Sequence, residues 1–407
     1  MKRAIGIGVV VALAGLAVCC GSSTSDPDAE GFDAPGRDAP GLDTTSAIDS
    51  PSVADVPTTN DVELAFPDAP LSRVTRIYAG QDDQQLVVFA LDDADGSLVE
   101  IGRTRIEGST SFVAIDPSGT RGAAVLEGDD QVVGLSFARG SGLASEVGSR
   151  RDSRGGGPTH VSIDRSGSFA LVANYGGGTV ASYTLASDGS LSDSVDDDAP
   201  GDNAHQIVTS PSNRWALVPC LGSDRLRVLA FDPATGRFGA SRDHDTEADA
   251  GPRHFVVTAD GAHVYLANEL DSTLSVLAFD EATGALTHVQ TLSTLPSSFS
   301  SRNSVAEIAF GADERFVYVS NRGHDSIAVF AITPDHTVEA RGHTLLEAGR
   351  PRSFAIDPRG RWLLAGSQDD DVIVRLRIED DGSLTRVGAA PTTGSPTFVG
   401  AFAIPSE

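Results

Sequence analysis

The sequence predicts an all-β fold, a seven-bladed β-propeller whose N- and C-terminal strands share one blade. Three observations carry that prediction. Apolar residues alternate over short runs separated by Asp- and Gly-containing turns, the pattern of half-buried strands. The runs recur at a near-constant interval through residues 71–407. The two ends of that region are partial copies of the same unit, each supplying what the other lacks.

The unit is plainest in "THVSIDRSGSFALVANYGGGTVASYTL" (159–185) and "RHFVVTADGAHVYLANELDSTLSVLAF" (253–279). Six copies align without gaps through their first two strands. The residue after the second strand is then Glu127, Tyr175, Leu221, Glu269, Arg322 or Gln368, at steps of 48, 46, 48, 53 and 46 residues. A period of that size, with three or four strands per unit, marks a propeller: one blade cannot bury both faces, but stacked neighbours can. The seventh blade is split. "RIYAGQDDQQLVVFAL" supplies its middle and outer strands, with Gln81 in the same column 46 residues before Glu127, and the terminal "PTFVGAFAIP" supplies the inner strand. Pairing the chain ends closes the ring and removes exposed sheet edges. The Gly-His and Trp-Asp pair of WD repeats is missing from every blade. Asp-Pro-Ser-Gly at 116–119, Asp-Arg-Ser-Gly at 164–167 and Asp-Pro-Arg-Gly at 357–360 read as hairpin turns. So do "DDADG" at 92–96 and "YGGGT" at 175–179, which lacks the Lys of a phosphate loop.

Two segments precede the repeats. Residues 1–20 begin with Lys2 and Arg3, continue as an apolar run and end at Cys19 and Cys20, the form of a secretory leader. The leader resembles a bacterial lipoprotein signal with Cys20, or its neighbour Cys19, as the lipidated residue; an ordinary cleaved leader is the alternative. Residues 21–70 hold eleven acids against Arg37 alone, with Asp-Ala-Pro repeated. Such a segment buries no core and reads as an acidic tether of about 40 Å reach. The expectation is an exported chain held at a membrane through its lipid, with 71–407 as the folded body.

Composition excludes several chemistries. Removing the tether (−10) and leader (+2) from the chain's −27 leaves −19 on residues 71–407, with no basic stripe for nucleic acid. Cys220 is the body's one cysteine, so neither a disulfide framework nor a thiolate metal cluster can form within it. The chain's one lysine is Lys2, which removes Schiff-base and P-loop lysine chemistry from the mature protein. Nor is there a zinc-spaced histidine pair, and no metal or cofactor is expected.

Because the first two strands of a blade are antiparallel, the start of the inner strand and the end of the second open on one mouth of the channel. The first column reads Ser111, Thr159, His205, Arg253, Ala306 and Arg352; the second is the Glu127-to-Gln368 series. Ionisable residues concentrate in blades four to seven, so one rim is expected to gather His205, Arg253, His254, Glu269, Glu307, Arg322 and Arg352. Tyr175 and Gln368 share its second column. Interblade ion pairs would explain any one of these residues. Together, several arginines with a histidine and carboxylates suit an anionic small molecule and proton transfer. "HDS" at 324–326 has the residue types of a hydrolase triad, but neighbours in one turn do not make that relay.

"GPTHVSIDRSGSFALVANYGGGTV", "GPRHFVVTADGAHVYLANELDSTLSV", "SNRGHDSIAVF" and "AHQIVTSPSNRWALVPCLGSDRLRVL" resemble the seven-bladed propeller lactonases, which include bacterial 6-phosphogluconolactonases and fungal carboxy-muconate lactonizing enzymes. The resemblance spans roughly residues 73–405. It implies a site of His205, Arg253, Glu269 and Arg322, and a metal-independent hydrolase of a sugar-acid or other anionic lactone, with either His205 or Glu269 activating water and the arginines holding the anion. His254, Glu307, Arg352, Gln368 and Tyr175 are the expected substrate-binding residues. Asn203 and Ser353 stand where many relatives carry His. The family chemistry also runs as lactonisation. A non-catalytic envelope propeller binding an anionic ligand or protein is the alternative, favoured by the leader and tether.

Overall fold

The computed structural model describes residues 73–392 and 394–406. The leader with Cys20 and the tether to residue 70 lie outside the described residues. Seven four-stranded antiparallel sheets are present, six of them in simple sequence order. In the seventh sheet Pro396–Pro405 pairs with Arg73–Gln81, which pairs with Gln85–Leu91 and then Leu98–Arg105. Tyr78 faces Gly400 and Arg73 faces Pro405 in that ladder. The molecule is a seven-bladed propeller closed by its two ends, as the split repeat predicts.

The core lies between blades. Second strands such as Phe169–Asn174 are buried at every position, because a neighbouring sheet covers each face. Outer strands such as Ala285–Ser293 are largely exposed or half-buried, and they carry the polar residues. Tyr78, Leu86, Val113, Leu135, Phe137 and Phe398 fill one interblade layer. Burying such side chains contributes about 1.5–3 kcal/mol each. Buried tyrosines stitch blades together by donating to a carbonyl of the next blade: Tyr78 to Gly142 at 2.9 Å, Tyr265 to His336 at 2.8 Å and Tyr318 to Gly382 at 3.0 Å.

Turns at the two ends of the blades differ. At the end far from the candidate site, Asp357 accepts from the backbone N–H of Arg359, Arg361 and Trp362, and Asp164 accepts from Ser166, Ser168 and Phe169. These are the hairpin turns read from the sequence. At the other end, the start of each inner strand slips out of register with the second strand: between Thr110 and Phe112, Pro158 and His160, Pro252 and His254, Val305 and Ile308, and Pro351 and Ser353. The skipped residues are Ser111, Thr159, Arg253, the Ala306–Glu307 pair and Arg352. The first column of the repeat is thus a ring of β-bulges, a device that re-aims a side chain. In the fourth blade Ala204 bridges Cys220 and regular pairing resumes only at Val208, which leaves His205 in the irregular stretch between.

Candidate active site

The bulge in the fifth blade turns Arg253 toward the residue that follows its partner strand. Its Nε lies 2.9 Å from Glu269 Oε2, and its Nη1 donates to the Ala306 carbonyl of the sixth blade at 2.7 Å. Arg322, the last residue of Phe316–Arg322, places Nη2 2.9 Å from Glu269 Oε1 and 3.3 Å from the Val305 carbonyl. One carboxylate is therefore held between two guanidinium groups from adjacent blades. Side-chain exposure is only 2–4 % for these three residues, so the charges interact where water screens them little.

His205 is also buried, its ring edge-on to Tyr175 at 5.5 Å and to His254 at 5.0 Å between centroids. His254 Nδ1 lies 2.8 Å from Glu307 Oε1. A carboxylate accepts, so Nδ1 carries the proton and Nε2 is an acceptor in the neutral ring. Burial pushes the His254 pKa below its ordinary value even though Glu307 pulls the other way. His160 is pushed well below, first by burial and then by His254, His205 and Arg253 nearby. Both rings are therefore neutral near pH 7.

Of the rim residues expected from the sequence, Arg253, Glu269 and Arg322 meet one another, while His205 meets Tyr175 and His254. Arg352 places Nη2 4.0 Å from Glu127 Oε2, and Tyr175 stands edge-on to His205. Gln368 is half-buried, its backbone N–H donating to the Arg350 carbonyl at 3.2 Å. Glu307 meets His254 and lines a cavity of about 330 Å³ together with His160, Ser162 and apolar side chains such as Phe112, Ile115, Ile163, Phe354 and Phe402.

His160 is the residue that the sequence reading missed. It tilts against Phe112 at 4.2 Å and stands edge-on to His254 at 5.8 Å. The signal was available one place after the first column, where His160, Gln206, His254 and Glu307 form a second polar series. Gln206 accepts from the Phe255 N–H at 2.8 Å and so joins the fourth blade to the fifth. In "HDS" the His324 ring does meet Ser326 Oγ at 2.7 Å, but Ser326 is buried and Asp325 accepts from the backbone N–H of Gly323 and Arg350. Cys220 is buried beside the Val218 carbonyl, with its thiol pKa pushed up to about 12, so it is not a nucleophile.

The fold is thus a closed propeller of seven four-stranded blades that carries a buried arginine–glutamate–arginine clamp. The chain belongs to the family described as "Lactonase, 7-bladed beta-propeller", whose model matches residues 74–401; it is a lactonase. A 6-phosphogluconolactonase of Pectobacterium carotovorum is 29% identical over 330 residues, 80% of this chain and 98% of the relative. One from Yersinia pestis is 30% identical over 332 residues, 79% and 96% respectively. Among solved structures, the periplasmic gluconolactonase PpgL of Pseudomonas aeruginosa superposes with a TM-score of 0.76 at 25% identity, covering 82% of this chain and all of that one.

Proposed function

We propose that this lactonase hydrolyses the lactone of a sugar acid, with His205 as general base and Arg253 and Arg322 facing the developing oxyanion. The observation that carries the proposal is the double clamp on Glu269, with His205 packed against His254, the residue next to Arg253. A carboxylate already engaged with two guanidinium groups serves best to orient them, which leaves proton transfer to the histidine. His205 takes a proton from water as the water oxygen bonds to the lactone carbonyl carbon. The carbonyl oxygen gathers negative charge against the arginine N–H groups. Collapse breaks the ring C–O bond, and the departing oxygen receives the proton from His205. The product is the open hydroxy acid. The names of the relatives, 6-phosphogluconolactonase and gluconolactonase, support the sugar-acid class and a place in carbohydrate metabolism.

The test is turnover of a panel of sugar-acid lactones. Arg253→Ala and Arg322→Ala are expected to lower kcat/KM about 100-fold to 1000-fold, and His205→Ala about 100-fold to 10,000-fold; Glu269→Ala should follow the arginines. Activity that survives all four substitutions would refute the site. An inert wild type that binds an anionic ligand in an Arg253-dependent way would establish the non-catalytic alternative instead.

We also propose that the chain is exported and anchored through a diacylated Cys20, on the strength of its leader and acidic tether. A Cys19, Cys20 double substitution should move the protein out of the membrane fraction; unchanged fractionation would sink the anchor.

A further inference from the structure

The three arginines that suggested an anionic ligand are already matched in the fold. Arg253 and Arg322 share Glu269, and Arg352 faces Glu127. The formal balance of these five groups is one positive charge, which suits a single developing oxyanion.

Around them the mouth is acidic. Seven turns join second to third strands at this end, all among the described residues, and six of them carry a carboxylate. Only the Tyr175–Gly178 turn has none; Arg322 ends the strand before one of them, and Arg154, Arg302 and Arg350 stand in the adjoining connections, so the balance is acidic. Several of these carboxylates are fixed by backbone bonds from the adjoining connection: Asp130 accepts from Gly157 N at 2.7 Å, Asp224 from Gly251 N at 2.9 Å, Asp325 from Arg350 N at 2.9 Å and Asp370 from Gly349 N at 2.6 Å. Those bonds explain why the acids are there, and they hold the charges in a ring about the entrance. A collar of one sign lowers the local concentration of ligands of the same sign and slows their entry. A phosphomonoester brings about −1.5 to −2 charges at pH 7.

Resting on the lactonase reading above, we infer that the site selects lactones with no phosphate or other additional anionic group, and that Glu127 is a specificity-determining residue that keeps Arg352 from serving as a phosphate ligand. Within the sugar-acid class, the substrate is then a neutral polyhydroxy lactone.

The experiment compares kcat/KM for glucono-δ-lactone and its 6-phosphate with the full chain. The neutral lactone is expected to be preferred by about tenfold or more. Raising salt from about 20 to about 500 mM should increase kcat/KM for the phosphorylated form selectively, because screening shortens the reach of the collar. Glu127→Gln should shift the ratio toward the phosphorylated form by roughly tenfold, as it removes the negative charge that faces Arg352. Preference of the wild type for the 6-phosphate would overturn this inference alone and leave the lactonase reading intact. So would a Glu127→Gln variant whose ratio is unchanged. Should that variant fail to fold, the salt series on the wild type decides. Turnover of neither compound would remove the lactonase reading and this inference with it.

Discussion

The two ends of the propeller are both rich in polar side chains, and they use them differently. At the far end Asp116, Asp164 and Asp357 each accept from backbone N–H groups within five residues of themselves, and Asp164 accepts besides from Asn213 Nδ2 of the next blade at 2.7 Å. At the mouth Arg253 reaches Ala306, Arg322 reaches Glu269, and His254 meets Glu307, each across a blade boundary. Local partners shape the turns, whereas the contacts within the site depend on partners from another blade. The difference teaches that a polar residue's role is told by the sequence distance to its partners better than by its type.

The largest effect that would break the comparison comes from removing a distant partner strand. Deleting residues 396–407 leaves every Asp turn's local bonds in place but takes away the inner strand of the closing blade, which pairs along the whole of Arg73–Gln81. Two strand edges are then exposed. The truncated chain is expected to lose its cooperative melt and its activity together, measured by calorimetry and lactone turnover; a stable, monomeric, active truncation would show that the ends do not close the ring.

A smaller effect runs the other way. Asp357→Ala removes a buried carboxylate that accepts from three backbone N–H groups of its turn and touches nothing at the mouth. It should cost about 1–3 kcal/mol of stability in denaturant melts, with kcat/KM held within about twofold of wild type. A large loss of activity at full stability would place the far-end turns in the function.

The smallest effect sharpens the comparison through pH. His160 and His254, packed among Phe112, His205, Arg253 and Glu307, are held neutral by burial. In the unfolded chain each takes a proton near its ordinary value of 6.5. The unfolded state therefore binds more protons below that pH, and stability falls on acidification from 6.5 downward by up to about 1.4 kcal/mol per pH unit for each histidine. Above 6.5 both states are neutral there and the contribution is flat. Melting temperatures recorded from neutral to mildly acidic pH should show this slope, and His160→Gln should reduce it; an unchanged slope in that variant would remove His160 as a source.

Much of this was legible in the residues themselves. The repeat interval fixed seven blades and the split one, because every blade must present the same alternation to its neighbours in order to bury both faces. The same register aligned His205, Arg253, Glu269 and Arg322 into columns at one mouth, since antiparallel strands bring the start of one and the end of the next to the same edge. The partners of the second polar series were decided only by the tertiary structure. The bulges at the inner-strand starts are not announced by sequence alternation, and only the closed ring brings His254 to Glu307 on one side and to His160 on the other. Charge balance was settled there too. Arg352 and Glu127 lie 225 positions apart in the chain, and only ring closure brings a cation that looked available to bind an anion opposite a carboxylate of its own.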